Sequence, residues 1–279
     1  MIIALFPNTI KKQSIDISRN IIEFLVSQGI TVVTEDDDIE ALGAMPLSSV
    51  DLSAINFIIS LGGDGTILRI VHHHPELQVP ILAINLGSLG FMADIPIYEI
   101  YSSLKNLLEG DFHVQTRIVM DGKSNGSSNF AVNEIVVHRA QNPCLIDLAI
   151  YVDNHYLNTF SADGIIIATP SGSTAYSLAA GGPILTPEIN AFVLTPISPH
   201  TISNRPIVFL PKREIRVEYI SAHEPVEVTY DGFPSFSIKT GETLHITRSE
   251  RSFQLVCMPS HDYFSTLRTK LGWAGKLRT

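Results

Sequence analysis

The sequence predicts an α/β domain followed by a β-rich domain, and three observations lead to this fold class. Before Gly110, short apolar runs rich in β-branched residues alternate with segments whose apolar residues recur at helical spacing. After Gly110, strand-like segments succeed one another with short turns between them. The stretch Asp262–Leu271 then returns to helical spacing. We therefore expect a Rossmann-like parallel sheet in residues 1–112, a sandwich-like β domain in 113–256, and a C-terminal segment, 257–279, whose helix packs back on the first domain.

The first domain shows a β-α-β succession with short connections, which predicts a parallel sheet with helices on its faces. Strands are predicted at Ile2–Phe6, Ile30–Thr34, Asn56–Leu61 and Pro80–Asn85. Helices are predicted at Ser14–Gln28, from about Thr66 onward, and at Pro96–Glu109. The acidic run Glu35–Glu40 is interpreted as a solvated loop. His72–His74 are interpreted as a helix end, because consecutive helical residues point in different directions and cannot share one metal ion.

The second domain is predicted to consist of strands joined by short turns, two of which are Asp121-Gly122 and Asp153-Asn154. Its predicted strands are Val114–Asp121, Phe130–His138, Leu145–Asp153, Tyr156–Ser161, Gly164–Thr169, Ala191–Pro196, Pro206–Leu210, Glu214–Ile220, Val226–Tyr230, Ser235–Lys239, Thr243–Thr247 and Phe253–Val256. Among these segments only Thr174–Ala180 has helical character.

Composition excludes several classes of protein. The chain has 279 residues, of which 45% are hydrophobic and 17% charged, and this is globular composition. Its net charge of −9 argues against nucleic acid as a partner. No apolar run approaches the roughly 20 residues of a membrane span, and the N-terminus lacks the basic region of a signal peptide. The two cysteines, Cys144 and Cys257, are too few for a disulfide framework, so we expect core cysteines in a cytoplasmic protein.

The most informative stretch for function is Gly62–Thr66, which follows the predicted strand Asn56–Leu61. Three glycines in four positions allow a ligand to approach the main chain closely. A helix that opens directly afterwards would direct unpaired N–H groups and the positive end of its dipole toward that ligand, which suits a polyphosphate. Asp64 is the exception within this nest, because a carboxylate repels phosphate unless it binds a metal or transfers a proton. By themselves these residues are also compatible with a simple strand-to-helix turn.

Two further stretches support a ligand site. Leu86–Phe91 forms a second glycine loop at the end of a predicted strand, where ligands gather in parallel α/β sheets. In the second domain, Asp163–Pro183 runs from a buried strand into a Ser/Gly/Thr loop and a short helix of small residues. Such a loop offers hydroxyl and N–H donors to ribose and phosphate oxygens. The polar pair Asn133-Glu134 interrupts a strand-like segment, so it is either hydrogen-bonded internally or faces a ligand.

In combination these motifs resemble the NAD kinase family, and the similarity covers nearly the whole chain in the right order. The motifs are Gly62–Thr66, Asn133-Glu134, Asp163–Pro183, Pro199–Val208, Asp231-Gly232 and Leu271–Trp273. The glycine motif has related versions in 6-phosphofructokinases and in diacylglycerol or sphingosine kinases. The Asn-Glu pair together with TPSGSTAYSLAAGGP is far more specific.

The resemblance implies a homodimeric or homotetrameric enzyme that transfers the terminal phosphoryl group of ATP, or of inorganic polyphosphate, to the 2′-hydroxyl of the adenosine ribose of NAD. It also implies a divalent cation, magnesium. Asp64 is expected to be the proton acceptor, with metal ligation through water as its alternative role. The backbone of Gly62, Gly63, Gly65 and Thr66 is expected to hold the donor phosphates. No residue is assigned as a metal ligand.

The resemblance also implies a set of NAD-binding residues. They are Asp64, Gly65, Arg69, Asn133, Glu134, Asp163, Ser171, Thr174, Ala175, Tyr176, Ser177, Leu178 and Ala179.

One position departs from the family pattern. Many relatives carry a basic residue two positions before the equivalent of Asp163, and here Ser161 takes that position. The contact made by this basic residue is therefore missing or is made by another residue, for which Arg69 and Arg205 are candidates. Two alternative functions stay open at this point: a lipid or sugar kinase of the same superfamily, and a non-catalytic nucleotide-binding sensor. No basic amphipathic helix supports the lipid kinase, and the carboxylate of Asp64 argues against a pure phosphate binder.

Overall fold

The computed structural model describes residues 1–201, 203–210 and 214–273. Ile202, within the motif Pro199–Val208, lies outside the described residues, as do the last six positions of the C-terminal segment predicted at 257–279. Two compact units make up the chain: residues 1–116 with 254–279, and residues 117–253. We call them unit 1 and unit 2.

The strands and helices alternate in the first part of the chain and are almost all strands in the second. The strands are β1 Ile2–Pro7, β2 Thr31–Thr34, β3 Met45–Pro46, β4 Ile55–Gly62, β5 Ile81–Asn85, β6 Ile95–Pro96, β7 His113–Ser124, β8 Ser127–Ala131, β9 Glu134–His138, β10 Ile146–Val152, β11 His155–Ala162, β12 Gly164–Ala168, β13 Phe192–Ile197, β14 Ile207–Phe209, β15 Ile215–Tyr219, β16 Val226–Tyr230, β17 Phe233–Ile238 and β18 Thr243–Cys257. The α-helices are α1 Lys12–Ser27, α2 Ile39–Leu42, α3 Asp64–His73, α4 Ile100–Glu109, α5 Tyr176–Ala179 and α6 Tyr263–Leu271. Short 3-10 helices occur at Asp36–Asp38, Leu47–Ser49, Leu52–Ala54, Ile97–Glu99 and Gly172–Thr174.

Unit 1 is built on a parallel sheet with the strand order β3-β2-β1-β4-β5-β18, and β6 also pairs with β5. Ile59 and Leu61 of β4 and Leu82 and Ile84 of β5 are buried and belong to the core of this unit. The amphipathic helices α1 and α4 supply further core residues, among them Leu25. The Rossmann-like sheet expected from the β-α-β succession is confirmed. Packing the helices on the sheet buries both the apolar strands and the apolar side of each helix.

The C-terminal helix α6 belongs to unit 1. The Asp262 side chain caps it by accepting hydrogen bonds from the backbone N–H groups of Phe264 and Ser265, at 3.1 and 3.0 Å. Gly272 ends it in the left-handed conformation, with φ of 64°. Leu267 is its buried residue. None of the helices in the described residues is long and apolar enough to cross a membrane.

Unit 2 is a sandwich of two antiparallel sheets, as the strand-rich sequence predicts. One sheet has the order β11-β10-β15-β18, with β7 paired to β18 and to β8. The other has the order β14-β13-β12-β9-β16-β17. Alternate residues of both sheets form the core and are fully or almost fully buried. Examples are Ile146, Leu148 and Ile150 of β10 and Ile165 and Ile167 of β12.

The structure corrects several sequence-based expectations. Asp121-Gly122 is not a turn but lies within β7, and the hairpin turn falls at Asn125-Gly126, both with positive φ. Gly122 serves close packing instead, since a Cβ there would overlap the ring and hydroxyl of Tyr230. The two strands predicted at Thr243–Thr247 and Phe253–Val256 are one strand, β18. Cys144, expected in the core, is exposed.

Candidate active site

The glycine motif of unit 1 links the end of β4 to the start of α3. The helix begins at Asp64, two residues earlier than the sequence pattern suggested, so Asp64 and Gly65 lie in its first turn. The hydroxyl of Thr66 accepts a hydrogen bond from the backbone N–H of Gly63 at 3.4 Å, which ties the loop to the helix. First-turn N–H groups of a helix lack intrahelical partners. The motif therefore places the first turn of a helix at the carboxyl end of a parallel strand, and its use as an anion site stays a prediction.

The carboxylate of Asp64 is held by three consecutive backbone amides. Its Oδ2 accepts from the N–H of Phe91 at 2.9 Å, and its Oδ1 accepts from Met92 at 3.1 Å and Ala93 at 2.8 Å. Gly90 permits this approach, because a Cβ there would overlap Asp64 Oδ1 and would lie 2.9 Å from the carbonyl oxygen of Ala93. Amide donors at both oxygens fix the direction of the carboxylate. The two glycine loops expected from the sequence are thus in direct contact.

Asn85, the last residue of β5, organises the second glycine loop. It is buried, and its Nδ2 donates to the carbonyl oxygens of Ser88 and Ala93, each at 2.8 Å. Its Oδ1 accepts from the N–H of Gly87 at 2.7 Å. A buried amide with these partners fixes the loop that in turn holds Asp64.

Arg69, expected among the NAD-binding residues, lies one turn further along α3. Its Nη2 donates to the carbonyl oxygen of Pro7, at the end of β1, at a distance of 3.4 Å. The guanidinium is therefore at the carboxyl edge of the parallel sheet of unit 1.

In unit 2, Asn133 and Glu134 lie at the break between β8 and β9. The carboxylate of Asp231 accepts the backbone N–H groups of Val132, Asn133 and Glu134 at 2.8, 2.7 and 3.1 Å. Asp231 itself has a positive φ of 52° in the turn after β16. Sequence analysis placed Asp231 in a family motif but did not assign it a role. Its role is to hold the Asn133-Glu134 pair through the backbone.

The side chains of Asn133 and Glu134 are buried, and each has one oxygen without a hydrogen-bond partner among the described residues. Glu134 is 7% exposed, and neither its Oε2 nor the Oδ1 of Asn133 has a partner among the described residues. Burial raises the pKa of Glu134 to about 8, aided by the negative charge of Asp231 and opposed by a hydrogen bond from the backbone N–H of Tyr176. Buried acceptors without donors are costly and rare. Of the two explanations left open by the sequence, internal hydrogen bonding does not account for these two atoms among the described residues.

A cavity of about 420 Å³ in unit 2 brings Glu134 together with Asp163 and Tyr176. Its lining residues are Glu134, Val136, His138, Arg139, Ala140, Asp163, Tyr176, Ile197, Thr229 and Gly232. Arg139 was missed by sequence analysis, although its Nε lies 2.8 Å from Asp163 Oδ1. The only signal in the sequence was its position directly after the strand that begins with Glu134.

Hydrogen bonds connect the Ser/Gly/Thr loop to the segment that contains Asn133. Thr169 donates its hydroxyl to the carbonyl oxygen of Val132 at 2.6 Å and its N–H to that of Asn133 at 2.8 Å. Ser171 is buried and accepts from Arg117 Nη1 at 3.3 Å. These bonds fix the loop against the strand pair that carries the buried acceptors.

The remaining residues expected to bind NAD follow this loop and do not line the cavity. Thr174 and Ala175 are half-buried, Leu178 is half-buried, and Ala179 is exposed. The hydroxyl of Ser177 is fully buried and paired with Thr195 at 2.8 Å, so its side chain is committed to the interior.

The structure also shows the contacts of Ser161 and of Arg205, one of the two arginines considered as replacements for a basic residue at position 161. The hydroxyl of Ser161 donates to the carboxylate of Asp147, its partner on the neighbouring strand. Arg205 donates to the backbone carbonyl of Asn204 at 3.1 Å and does not line the cavity. Within the described residues no group of three or more His, Cys, Asp or Glu side chains could hold a metal ion.

Comparison with known proteins identifies the family. Residues 3–112 match the model of the ATP-NAD kinase N-terminal domain, and residues 132–258 match that of the ATP-NAD kinase C-terminal domain. The chain is 61% identical over 277 residues to the NAD kinase of Protochlamydia amoebophila, with 99% of each chain covered. It is 37% identical to that of Geotalea daltonii, over 97% of this chain and 98% of the relative.

Two solved structures of NAD or NADH kinases are also similar to this chain. The NAD kinase of Archaeoglobus fulgidus in complex with ATP has a TM-score of 0.75 at 28% identity, with 99% of this chain and 100% of that chain covered. Yeast NADH kinase complexed with NADH has a TM-score of 0.88 at 24% identity, with 100% and 89% covered, and at this identity the likeness is one of fold. The chain therefore belongs to the NAD kinase family.

Proposed function

We propose that this protein is an NAD kinase that transfers the terminal phosphoryl group of ATP to the 2′-hydroxyl of the adenosine ribose of NAD and so forms NADP. The observation that carries the proposal is the geometry of Asp64. A carboxylate fixed by three backbone amides stands in the first turn of a helix whose glycine loop is suited to phosphate. A non-catalytic phosphate binder would gain nothing from this negative charge.

Asp64 is proposed to accept the proton of the attacking hydroxyl. Phosphoryl transfer asks the protein mainly to align donor and acceptor and to stabilise charge. The amides of Phe91, Met92 and Ala93 would keep the carboxylate of Asp64 oriented. The backbone of Gly62–Thr66 would hold donor phosphates, and Asn133 and Glu134 would accept hydrogen bonds from ribose hydroxyls or the adenine amine.

A divalent cation, magnesium, is proposed as the cofactor. Because the described residues hold no cluster of metal ligands, the ion would be bound mainly by phosphate oxygens of the donor, as is common for magnesium. Asp64 is the carboxylate of the glycine motif that would contact it, directly or through water. When bound, the ion neutralises charge on the transferred phosphoryl group.

The cellular setting is also a proposal. The free thiols of Cys144 and Cys257 are compatible with a reducing cytoplasm. A homodimer or homotetramer is proposed from the resemblance alone.

The test is a coupled assay for NADP formation from NAD and ATP, with polyphosphate and NADH as alternative substrates. Asp64→Asn is expected to lower kcat about 10²- to 10⁴-fold, the usual contribution of a general base, with little change in NAD affinity. Asp16→Asn is the matched control, because Asp16 is a surface residue of α1 with a 69% exposed side chain. Near-normal turnover of Asp64→Asn would remove Asp64 from the role of base, and wild-type protein that forms no NADP would refute the function.

A further inference from the structure

We propose that Arg139 is the phosphate-binding cation of the cavity in unit 2 that it lines with Asp163. This inference rests on the proposed function, because it assumes that the cavity of unit 2 receives NAD and NADP. Its ligand is a phosphate group of the dinucleotide, either the pyrophosphate of NAD or the 2′-phosphate of NADP.

The first support is position. Arg139 follows directly after β9, its backbone N–H donates to the carbonyl oxygen of Asp163 at 2.9 Å, and its side chain is 37% exposed. Among the lining residues of the cavity it is the sole Lys or Arg. Its ionisable neighbours are Glu134, Asp163 and His138, and His138 is 3.5 Å from Glu227. A phosphate in this cavity therefore has one permanently charged cation to contact.

The second support is the way in which the guanidinium is held. Its Nε lies 2.8 Å from Asp163 Oδ1, and its Nη1 donates to the carbonyl oxygen of Asn142. These two contacts fix the plane of the guanidinium, while the side chain stays 37% exposed at the cavity, and a planar arginine fork held in this way suits phosphate recognition.

The third support is the turn beneath Arg139, which is built to keep it in place. Asn142 is 3% exposed, and its Nδ2 donates to the carbonyl oxygens of Arg139 at 2.8 Å and Glu224 at 3.0 Å. Its Oδ1 accepts from the N–H of Glu224 at 3.1 Å. Ala140 adopts a positive φ of 53° in the same turn. A half-exposed ion pair contributes little to stability, so stability does not account for an arginine held this firmly.

The arrangement also assigns roles to its neighbours. Asp163, expected to bind NAD directly, uses one carboxylate oxygen to bind Arg139 and is a positioning residue for it. Ser161 cannot replace a cation, because its hydroxyl is bonded to Asp147 in the sheet. Glu134 supplies a carboxyl group, which suits hydroxyl and amine groups of a ligand rather than a phosphate. Of the polar groups on the cavity, Arg139 is thus the one suited to a phosphate.

The test is calorimetric binding of NAD, NADP and adenosine to wild type, Arg139→Gln, Arg139→Lys and the control Arg248→Ala, which removes an exposed arginine of the same unit. Arg139→Gln should weaken binding of NAD, NADP or both about 10- to 100-fold, the usual range for a charge-assisted hydrogen bond. Arg139→Lys should recover part of the loss. Adenosine, which has no phosphate, should bind all variants alike.

The pattern of losses identifies the phosphate. A loss confined to NADP places Arg139 at the 2′-phosphate, and equal losses for NAD and NADP place it at the pyrophosphate. Unchanged affinities in Arg139→Gln, or an equal loss for adenosine, would overturn the inference. Because each variant is compared with wild type in binding alone, failure here is distinct from failure of the NAD kinase assay.

Discussion

Replacing Glu134 with glutamine should stabilise the protein at neutral and alkaline pH. The carboxyl group of Glu134 is 7% exposed, its Oε2 lacks a partner among the described residues, and the negative Asp231 is nearby. Burial, with help from Asp231, raises its pKa from 4.5 to about 8. Glutamine keeps the shape and the acceptor for the N–H of Tyr176 but carries no charge. The substitution therefore removes the cost of ionising a buried acid.

The magnitude follows from linkage between protonation and folding. Below about pH 4.5 the group is protonated in both states, and it contributes no pH-dependent penalty. Between about pH 4.5 and 8 the unfolded chain ionises while the folded protein keeps its proton, so the penalty grows by about 1.4 kcal/mol per pH unit. Summed to about pH 8 this reaches roughly 5 kcal/mol. Since Glu134 lines a cavity and is not fully enclosed by protein, we expect less than half of this, about 2 kcal/mol.

The assay is urea unfolding of wild type and Glu134→Gln at about pH 5 and pH 8.5. Far-UV circular dichroism is the suitable signal, because the single tryptophan, Trp273, belongs to unit 1. Glu250→Gln is the control, since Glu250 is an exposed acid of unit 2. The advantage of Glu134→Gln over wild type should grow by about 2 kcal/mol between the two pH values. An advantage that is constant with pH, or larger at the lower pH, would refute the reasoning.

Two further predictions concern unit 1. Gly90→Ala should lower kcat at least about tenfold, because a Cβ would displace the Asp64 carboxylate at an overpacking cost of about 1–3 kcal/mol; steady-state kinetics and a melting curve test this, and normal turnover would contradict it. His261→Gln should destabilise the protein by about 1 kcal/mol near pH 6. The His261 ring lies 2.8 Å from Asp94 and 3.4 Å from Glu99, and these carboxylates raise its pKa above 6.5. Its contribution is complete below pH 6.5 and is lost as pH rises through the raised pKa. Urea unfolding near pH 6 and 9 should therefore show the difference shrinking, and a constant difference would exclude this role for His261.

The errors in the sequence analysis have a common physical cause. A glycine in a strand-rich segment suggests a turn, but Gly122 lies inside β7 because the side chain of Tyr230, more than a hundred positions away, occupies the space of a Cβ. Cys144 was expected in the core on residue type alone, yet it is exposed. Local composition does not record which distant residue packs against a position.

The amino-acid sequence alone was sufficient to predict the architecture and to locate the motifs. Alternating apolar runs and helical spacing encode strands and helices locally, and glycine loops at strand ends mark where a parallel sheet exposes backbone N–H groups. The Gly62–Thr66 motif, the Asn133-Glu134 pair and the loop after β12 could be located for this reason, since each is a contiguous stretch with its own chemistry.

The contacts that hold the site residues in place are visible only in the folded protein. Asp64 is bound by amides of Phe91–Ala93, Arg139 is paired with Asp163, and Asp231 binds the backbone of Val132–Glu134. Each of these contacts joins residues that are far apart in the chain and are brought together by the sheets. A hydrogen bond of this kind leaves no periodicity or spacing in the sequence, so it becomes visible only when the strands are in register.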